Sequence, residues 1–508
     1  MDYDALVVGS GPNGLAAAIT LARAGKRVLV LEAAVRAGGA VASEELTLPG
    51  FVHDSFSAVY PAGAASPVFA QMALEEHGLR WIHPEACLAH PLPDGVAGVL
   101  YRDLERTAAS LEQLHAGDGA RWQDFAGPYL GHFDALCRTM LGGFPPIRGA
   151  LALAAGLGPR AMLGFSGLLA SSAQALGERL FAGEGTRAWL YGSAMHSDVP
   201  PSRRGSAIAA VYLKLLGHGV GWPSPEGGAG MLAGALVSYL RSLDGELRTG
   251  AQVTRISSER GAVVGVELAG GERLSAPLVI ADVMPGALAR LAGEALPARY
   301  ARALRRYRTG PATLKLDWAL SAPIPWQADA VRHAGTVHLG GSAQEVLRNG
   351  ASTGLPERPF VLLGQQSIAD PSRAPRGMHT AWAYTRGDAL LREHDRELWI
   401  ERMEAQVERF APGFRDRILA RHVLGPAELQ ARNANLIDGD VGGGSYILRQ
   451  VFFRPVPSLA PYRTPLRGLY IGSAAAFPGG GVHGVPGRAA ARLALFTERV
   501  TCAWPGAR

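Results

Sequence analysis

Apolar and polar positions divide the chain into elements of recognisable period. A compact run from Asp4 to Val8, apolar after its first residue, ends at "GSGPNG", "LAAAITLARAG" then carries apolar residues at helical spacing, and "RVLVLE" is a second apolar run. That order predicts a strand, a tight glycine turn, a helix and a second strand. Further on, "GAVVGVEL" and "GERLSAPLVIAD" alternate with period two between glycines and predict a β-meander. "TLKLDWAL" alternates as well, so Leu314, Leu316 and Trp318 share one face and Thr313, Lys315 and Asp317 the other. Close to the C-terminus, "LRGLYIGSAAAFPGGGVHGVPGRAAARLALF" reads as strand, glycine-rich turn and helix, with Pro486 inside the first turn. The long uncharged run "AMLGFSGLLASSAQALG", Ala161 to Gly177, is short of a spanning helix and diluted by serine and glycine. It reads as a buried or membrane-touching helix.

Composition narrows the class. At 508 residues the chain exceeds one ordinary core, and a prior of roughly 150 residues per domain gives two or three domains, discontinuous ones included. Hydrophobic content of 48% with 19% charged residues fits a soluble globular enzyme rather than a disordered chain. The net charge of +6 comes from arginine, because Lys26, Lys214 and Lys315 are the only lysines. Nucleic-acid binding would need a basic stripe interleaved with aromatics, and the nearest stretch, "RYARALRRYR" from Arg299 to Arg308, suits one face of a short solvated helix. A patch drawn to anionic lipid headgroups is the second reading of that stretch. Cys87, Cys137 and Cys502 are far apart and form no C-x-x-C, which argues against a zinc site or dithiol chemistry and fits a reducing cytoplasm. The first residues read directly into "DALVVG", so no signal peptide is expected ahead of the fold. The expected location is cytoplasmic, with peripheral membrane contact kept open.

The N-terminal turn carries the first candidate chemistry. Its G-x-G-x-x-G falls on Gly9, Gly11 and Gly14, flanking Pro12 and Asn13. The first glycine permits the turn, the second lets backbone approach a pyrophosphate, and the third allows close helix-strand packing. The helix N-terminus offers free N–H groups to phosphates. Glu32 ends the second strand at the spacing of an acid that binds ribose hydroxyls. These residues leave FAD and NAD equally open.

The next segment, "RAGGAVAS" from Arg36 to Ser43, resembles the R-x-G-G-R-x-x-S/T motif of the flavoprotein amine oxidase and phytoene desaturase superfamily. Arg36, Gly38, Gly39 and Ser43 match, while Ala40 stands where the family usually has an arginine near the FAD phosphates. "LPGFVHD", "TLKLDWALSAPIPW" and "NANLIDGDVGGGSYILRQVFFRP" also look like segments of phytoene dehydrogenase-like proteins, and the C-terminal strand, glycine turn and helix have the form of that family's second FAD signature. The resemblance spans most of the chain and selects FAD. It implies an α/β fold with a discontinuous Rossmann-like FAD-binding domain (residues 1–70, 222–290 and 455–508) plus an α+β substrate domain (71–221 and 291–454). It also implies cofactor contacts from Ala33 beside Glu32, from the Val253 main chain, and from Gly472, Ser473, Gly480, Gly481, Val482 and His483. The bare Gly479, Gly480 and Gly481 would give the flavin ring clearance against a helix N-terminus.

Dehydrogenation needs hydride delivery to the flavin and a base for the matching proton. Related amine oxidases place a lysine over the flavin, and Lys315 is the matching candidate. His483 lies nearest by motif, and His53 and Asp54 follow the "PGF" turn. His196 and His218 read as satisfied pocket or core histidines. The leading expectation is an FAD-dependent dehydrogenase, or desaturase, acting on a C–C bond of an apolar, isoprenoid or polycyclic substrate, with oxygen or a quinone accepting electrons and no metal involved. An amine or amino-acid oxidase is the alternative, which needs an aromatic cage around the flavin and, for amino acids, an arginine for the carboxylate, roles open to Tyr446 and Arg449. A non-catalytic carrier resembling the Rab GDP-dissociation inhibitors is the third.

Overall fold

The computed structural model describes residues 1–388 and 395–503, the last three as backbone only, so the Cys502 thiol lies outside the described residues. Strands Ala5–Val8 and Val28–Leu31 run parallel, with Leu6 opposite Leu29, and helix Pro12–Ala22 connects them. They belong to a five-stranded parallel sheet in the order Leu469–Ile471, Val279–Ala281, Ala5–Val8, Val28–Leu31, Glu246–Arg248. All but the edge strand Glu246–Arg248 are buried along their whole length, because helices and a second sheet cover both faces. Alternation separates the two faces. Ala5, Val7, Val28 and Val30 pack on helices Pro12–Ala22, Gly230–Ser242 and Val485–Ala503. Leu6, Val8, Leu29 and Leu31 pack toward the antiparallel meander Val253–Glu259, Ala262–Leu268, Arg273–Ser275 and helix Pro285–Ala292.

A seven-stranded sheet forms the second layer, in the order Ile418–Leu424, Thr313–Leu320, His379–Arg386, Val361–Gly364, Ala334–Leu339, Ala86–Pro91, Ala97–Leu100. Its neighbours are antiparallel except Ala86–Pro91 beside Ala334–Leu339. The period-two reading of Thr313–Leu320 sorts its faces. Leu314, Leu316, Trp318 and Leu320 pack with Val337, Leu339 and helix Arg396–Phe410. The opposite face carries Thr313, Lys315 and Asp317 and continues through Tyr384 and Trp382, which pair with Lys315 and Asp317 across the strands. Helices Glu184–Ala194 and Ser206–Gly219 cover the far end of the sheet, over Leu88, Leu100 and Leu362. Every residue of Thr313–Leu320 is buried, so Lys315 lies inside the protein rather than on a solvated sheet face.

The uncharged run does not form one buried helix. It divides between Ile147–Ala170 and Ala173–Leu180. Helix Ile147–Ala170 is long and apolar enough to cross a membrane by composition, yet only 17% of that window is buried. Gly158, at φ 74°, breaks it ahead of Pro159 into two shorter arms. Ile147, Leu151 and Leu163 stand exposed along it. Helix Ala298–Arg305 buries Ala301 and Leu304 and turns Arg302 and Arg305 to solvent, as its spacing predicts.

Candidate functional site

Three glycine-rich segments meet at the C-terminal edge of the parallel sheet. Gly9 takes a positive φ of 99°, and Gly11 is the N-cap of Pro12–Ala22 with no side-chain cap, leaving the Asn13 amide of the first turn available. A Cβ on Gly14 would lie 2.0 Å from the Gly9 carbonyl oxygen, so the third glycine is required by the turn itself. A Cβ on Gly39 would lie 3.0 Å from the Gly11 Cα, which places the Gly38-Gly39 doublet directly on the fingerprint loop. The Glu32 carboxylate accepts from Ser10 N (2.8 Å), Ser10 Oγ (2.6 Å) and Ala34 N (2.9 Å), and so is fixed at the strand end. Ala251 N–H donates to the Glu32 carbonyl at 2.7 Å, bringing the start of the Val253 strand to the same place. Ala33 is exposed beside them, and so is Arg36, whose guanidinium lies 3.5 Å from Glu44. The Ala40 carbonyl accepts from Ser57 Oγ at 2.6 Å.

Asp282, at the end of strand Val279–Ala281, had no signature in the sequence. Its Oδ2 accepts from Gly14 N at 2.9 Å and lies 2.9 Å from where a Gly11 Cβ would stand. Burial pushes its carboxyl up to about 7, against the pull of the Gly14 N–H and with Glu32 adding to the rise.

The last helix closes onto the first. A Cβ on Gly487 would sit 1.8 Å from the Asn13 carbonyl oxygen, and one on Gly472 would sit 3.1 Å from the Gly487 Cα. Gly472 N–H donates to the Ala281 carbonyl at 3.0 Å, and the buried Ser473 Oγ accepts from Ala475 N at 3.3 Å. The three consecutive glycines serve different neighbours. At Gly479 a Cβ would strike Arg454 Nη1 (2.2 Å) and at Gly480 the Gly442 carbonyl (2.0 Å), so these two are bare because protein packs on them. Gly481, at φ 112°, meets only the ring of His483, which leaves it as the residue with clearance. Val482 turns its carbonyl toward Gly63. His483 is buried, its Nδ1 accepts from Val485 N at 3.2 Å and its carbonyl accepts from Ser66 Oγ at 2.6 Å. Burial lowers this imidazole to about 4, so it is a neutral cap on the last helix.

The third group of residues is charged and buried. The Lys315 ammonium is bound by the Asp317 carboxylate, and His53 Nδ1 lies 3.7 Å from Asp317 Oδ1. Thr47 Oγ1 is 2.8 Å from His53 Nε2. Asp54 Oδ1 accepts from Ser43 Oγ and Ala229 N, each at 2.7 Å, and its Oδ2 pairs with Arg373 at 2.9 Å. Asp54 therefore ties the strand pair Ser43–Glu44 and His53–Asp54 to helix Gly230–Ser242. Burial holds His53 down to about 3, with Lys315, Arg373 and His422 adding to it, and lifts Asp317 to about 6 against the pull of Lys315. Of the predicted candidates, the structure brings Lys315, His53 and Asp54 together, while His483 sits in the turn just ahead of the last helix. His196 Nε2 meets His338 Nε2 at 2.9 Å, and His218 Nε2 accepts from Trp122 Nε1 at 3.0 Å, as satisfied internal histidines. Arg449 is exposed, and Arg454 instead is fully buried beside Tyr446.

These residues fit a dinucleotide. The Asn13 amide at the start of the helix, the fixed Glu32 carboxylate and the buried Asn13 Oδ1, which has no protein partner, converge on one edge. The profile of the family described as flavin containing amine oxidoreductase matches residues 13–494. The chain belongs to this family. The "Pyridine nucleotide-disulfide oxidoreductase domain-containing protein 2" of Rattus norvegicus is 28% identical over 548 aligned positions, covering 97% of this chain and 93% of the relative. A phytoene desaturase of Cercospora nicotianae is 24% identical over 393 positions, 73% of this chain and 59% of that one. Among solved structures, an oxidoreductase of Methanosarcina mazei superposes with a TM-score of 0.65 at 18% identity over 97% of this chain and 99% of its own. The protein is a flavin-dependent oxidoreductase with FAD as its cofactor, which sets aside the non-catalytic carrier.

Proposed function

We propose that this oxidoreductase dehydrogenates a C–C bond of an apolar substrate, of isoprenoid or polycyclic type, lying against the sheet face that carries Lys315 and Asp317. The observation that supports it is charge cancellation: Lys315 is neutralised by Asp317 and Asp54 by Arg373, so this face asks no charge of its substrate. The orphaned Thr313 Oγ1, Thr336 Oγ1 and Trp382 Nε1 on the same sheet can orient a polar edge or a water. When bound, FAD accepts the hydride. Asp317 is the best-placed group for the matching proton, since its carboxyl is lifted to about 6 while His53 is pushed down to about 3. Lys315 holds that carboxylate in place and tunes it.

We assign residues 1–70, 222–290 and 455–508 to the FAD domain and 71–221 and 291–454 to the substrate domain, a division supported by the strands of the two large sheets, which fall wholly within one set or the other. Oxygen or a quinone would take the electrons onward. Exposed Ile147, Leu151 and Leu163 support contact with a membrane surface, from which an apolar substrate would be drawn. Amine oxidation is the second reading, favoured by the stacked rings of Trp382 and Tyr384, 5.9 Å apart at 7°, opposite Asp317 and Lys315.

Anaerobic mixing of the FAD-loaded protein with polyenes, cyclic terpenes and primary amines separates these readings. Bleaching of the flavin band by a polyene or terpene is the expected result. Bleaching by amines alone overturns the first reading in favour of the second.

A further inference from the structure

Arg454 is fully buried, and among the described residues no carboxylate lies within ion-pair distance of it. Its Nε and Nη2 donate to Tyr307 Oη at 3.1 and 2.5 Å, and Nη2 also donates to the Gly443 carbonyl at 2.8 Å. The guanidinium carbon stands 4.8 Å from the Tyr446 ring centre, and Tyr446 Oη donates to the Gly480 carbonyl at 3.1 Å. Nη1 has no partner and is aimed at Gly479, close enough that a methyl group there would lie 2.2 Å from it. A guanidinium that spends its hydrogen bonds on neutral groups keeps its full charge, and desolvating it is costly unless a negative charge arrives to offset it. The nearby Asp440 does not supply one, because its carboxylate is taken up by the amides of Gly310, Gly442 and Gly444.

We propose that Arg454 is a fixed cation of the flavin site, a positioning residue that braces the Gly479-Gly480 turn and stabilises the negative charge that FAD gains on reduction. Two electrons and one proton leave the ring system one unit more negative, and a buried cation at the turn leading into the last helix adds to that helix's own N-terminal dipole. The inference rests on this turn holding FAD. Gly479 and Gly480 are glycine because Arg454 and the Gly442 backbone must approach them, and Gly481 keeps the open side.

The test compares wild type with Arg454→Met, Arg454→Gln and Arg454→Lys, each loaded with FAD and titrated anaerobically with dithionite against a reference dye. At a fixed dye potential the neutral variants should show a reduced-to-oxidised flavin ratio at least tenfold lower, about 30 mV for a two-electron couple. Arg454→Lys should stay within threefold of wild type. A neutral variant that keeps FAD and the wild-type ratio overturns the proposal, as does a lysine variant that falls as far as methionine. Failure of both neutral variants to fold while lysine folds would make Arg454 a structural tie and overturn it equally. Wild type that takes up no flavin would instead sink the reading of the turn as an FAD site.

Discussion

His53 Nδ1 stands 3.7 Å from Asp317 Oδ1, yet the two do not form an ion pair at neutral pH. Burial, then the cations Lys315 and Arg373 and the neighbouring His422, hold the imidazole down to about 3, so it is uncharged. Among the described residues, the cation bound to Asp317 is Lys315, with Arg373 acting on it from farther off. Replacing Lys315 with Met should therefore lift the Asp317 carboxyl further, slow single-turnover flavin reduction at least tenfold (about 1.4 kcal/mol) and leave FAD bound. A raised folded carboxyl favours the fold at low pH and is lost as pH rises. The variant should accordingly melt closer to wild type at pH 5 than at pH 8. An unchanged reduction rate removes Lys315 from the chemistry.

His53 carries the opposite sign. Its folded value near 3 lies below the ordinary histidine value, so the stability it contributes is present above about 6.5 and is lost as pH falls toward 3. His53→Gln should flatten the acid limb of a stability-against-pH curve measured by urea unfolding. A curve that keeps its slope between pH 6.5 and 4 would show that other groups dominate acid unfolding.

The approach of Gly487 to Asn13 ties the two ends of the chain. Gly487→Ala places a methyl carbon 1.8 Å from the Asn13 carbonyl, in backbone that cannot yield as a side chain would. A loss of about 2 kcal/mol or more is expected, with weaker FAD retention, read by thermal melts and by the flavin content of the purified protein. Full stability with full flavin would mean the helices slide apart freely.

The same contacts explain what the sequence could tell. Gly14, Gly39 and Gly487 are legible because backbone stands within 3.0 Å of any Cβ there, and a glycine records that demand locally. The period-two pattern likewise separates Lys315 and Asp317 from Leu316 and Trp318. Gly479 and Gly480 record a demand without naming the neighbour, which turns out to be Arg454 and Gly442 rather than open space. Asp282 and Arg454 leave no local mark, since each matters through a partner well over a hundred residues away or through a loop folded against it. Side-chain burial decides the rest: Arg449 and Arg454 are five positions apart and only the second points inward.

His483 separates a cap from a catalyst. Its Nδ1 accepts the Val485 N–H, a bond that an asparagine oxygen can replace. His483→Asn should keep flavin reduction within a fewfold of wild type, while His483→Ala should cost about 1 kcal/mol in a denaturant titration. A hundredfold loss of reduction rate in the folded Asn variant would restore the imidazole as an acid or base.

Asp282 tests how the fingerprint loop tolerates a carboxyl. With its value at about 7, raised chiefly by burial, the folded protein binds a proton that the unfolded chain releases near the ordinary carboxylate range. The stability this group contributes is therefore full below about 4 and falls as pH rises through 7. Asp282→Asn keeps an acceptor for the Gly14 N–H but cannot ionise. Apoprotein melts should show the variant gaining on wild type between pH 5 and pH 8, because only the aspartate must carry a buried charge beside Glu32 at the higher pH. An equal or growing deficit of the variant at pH 8 would mean the ionised carboxylate is welcome there, held by the helix N-terminus more strongly than burial opposes it.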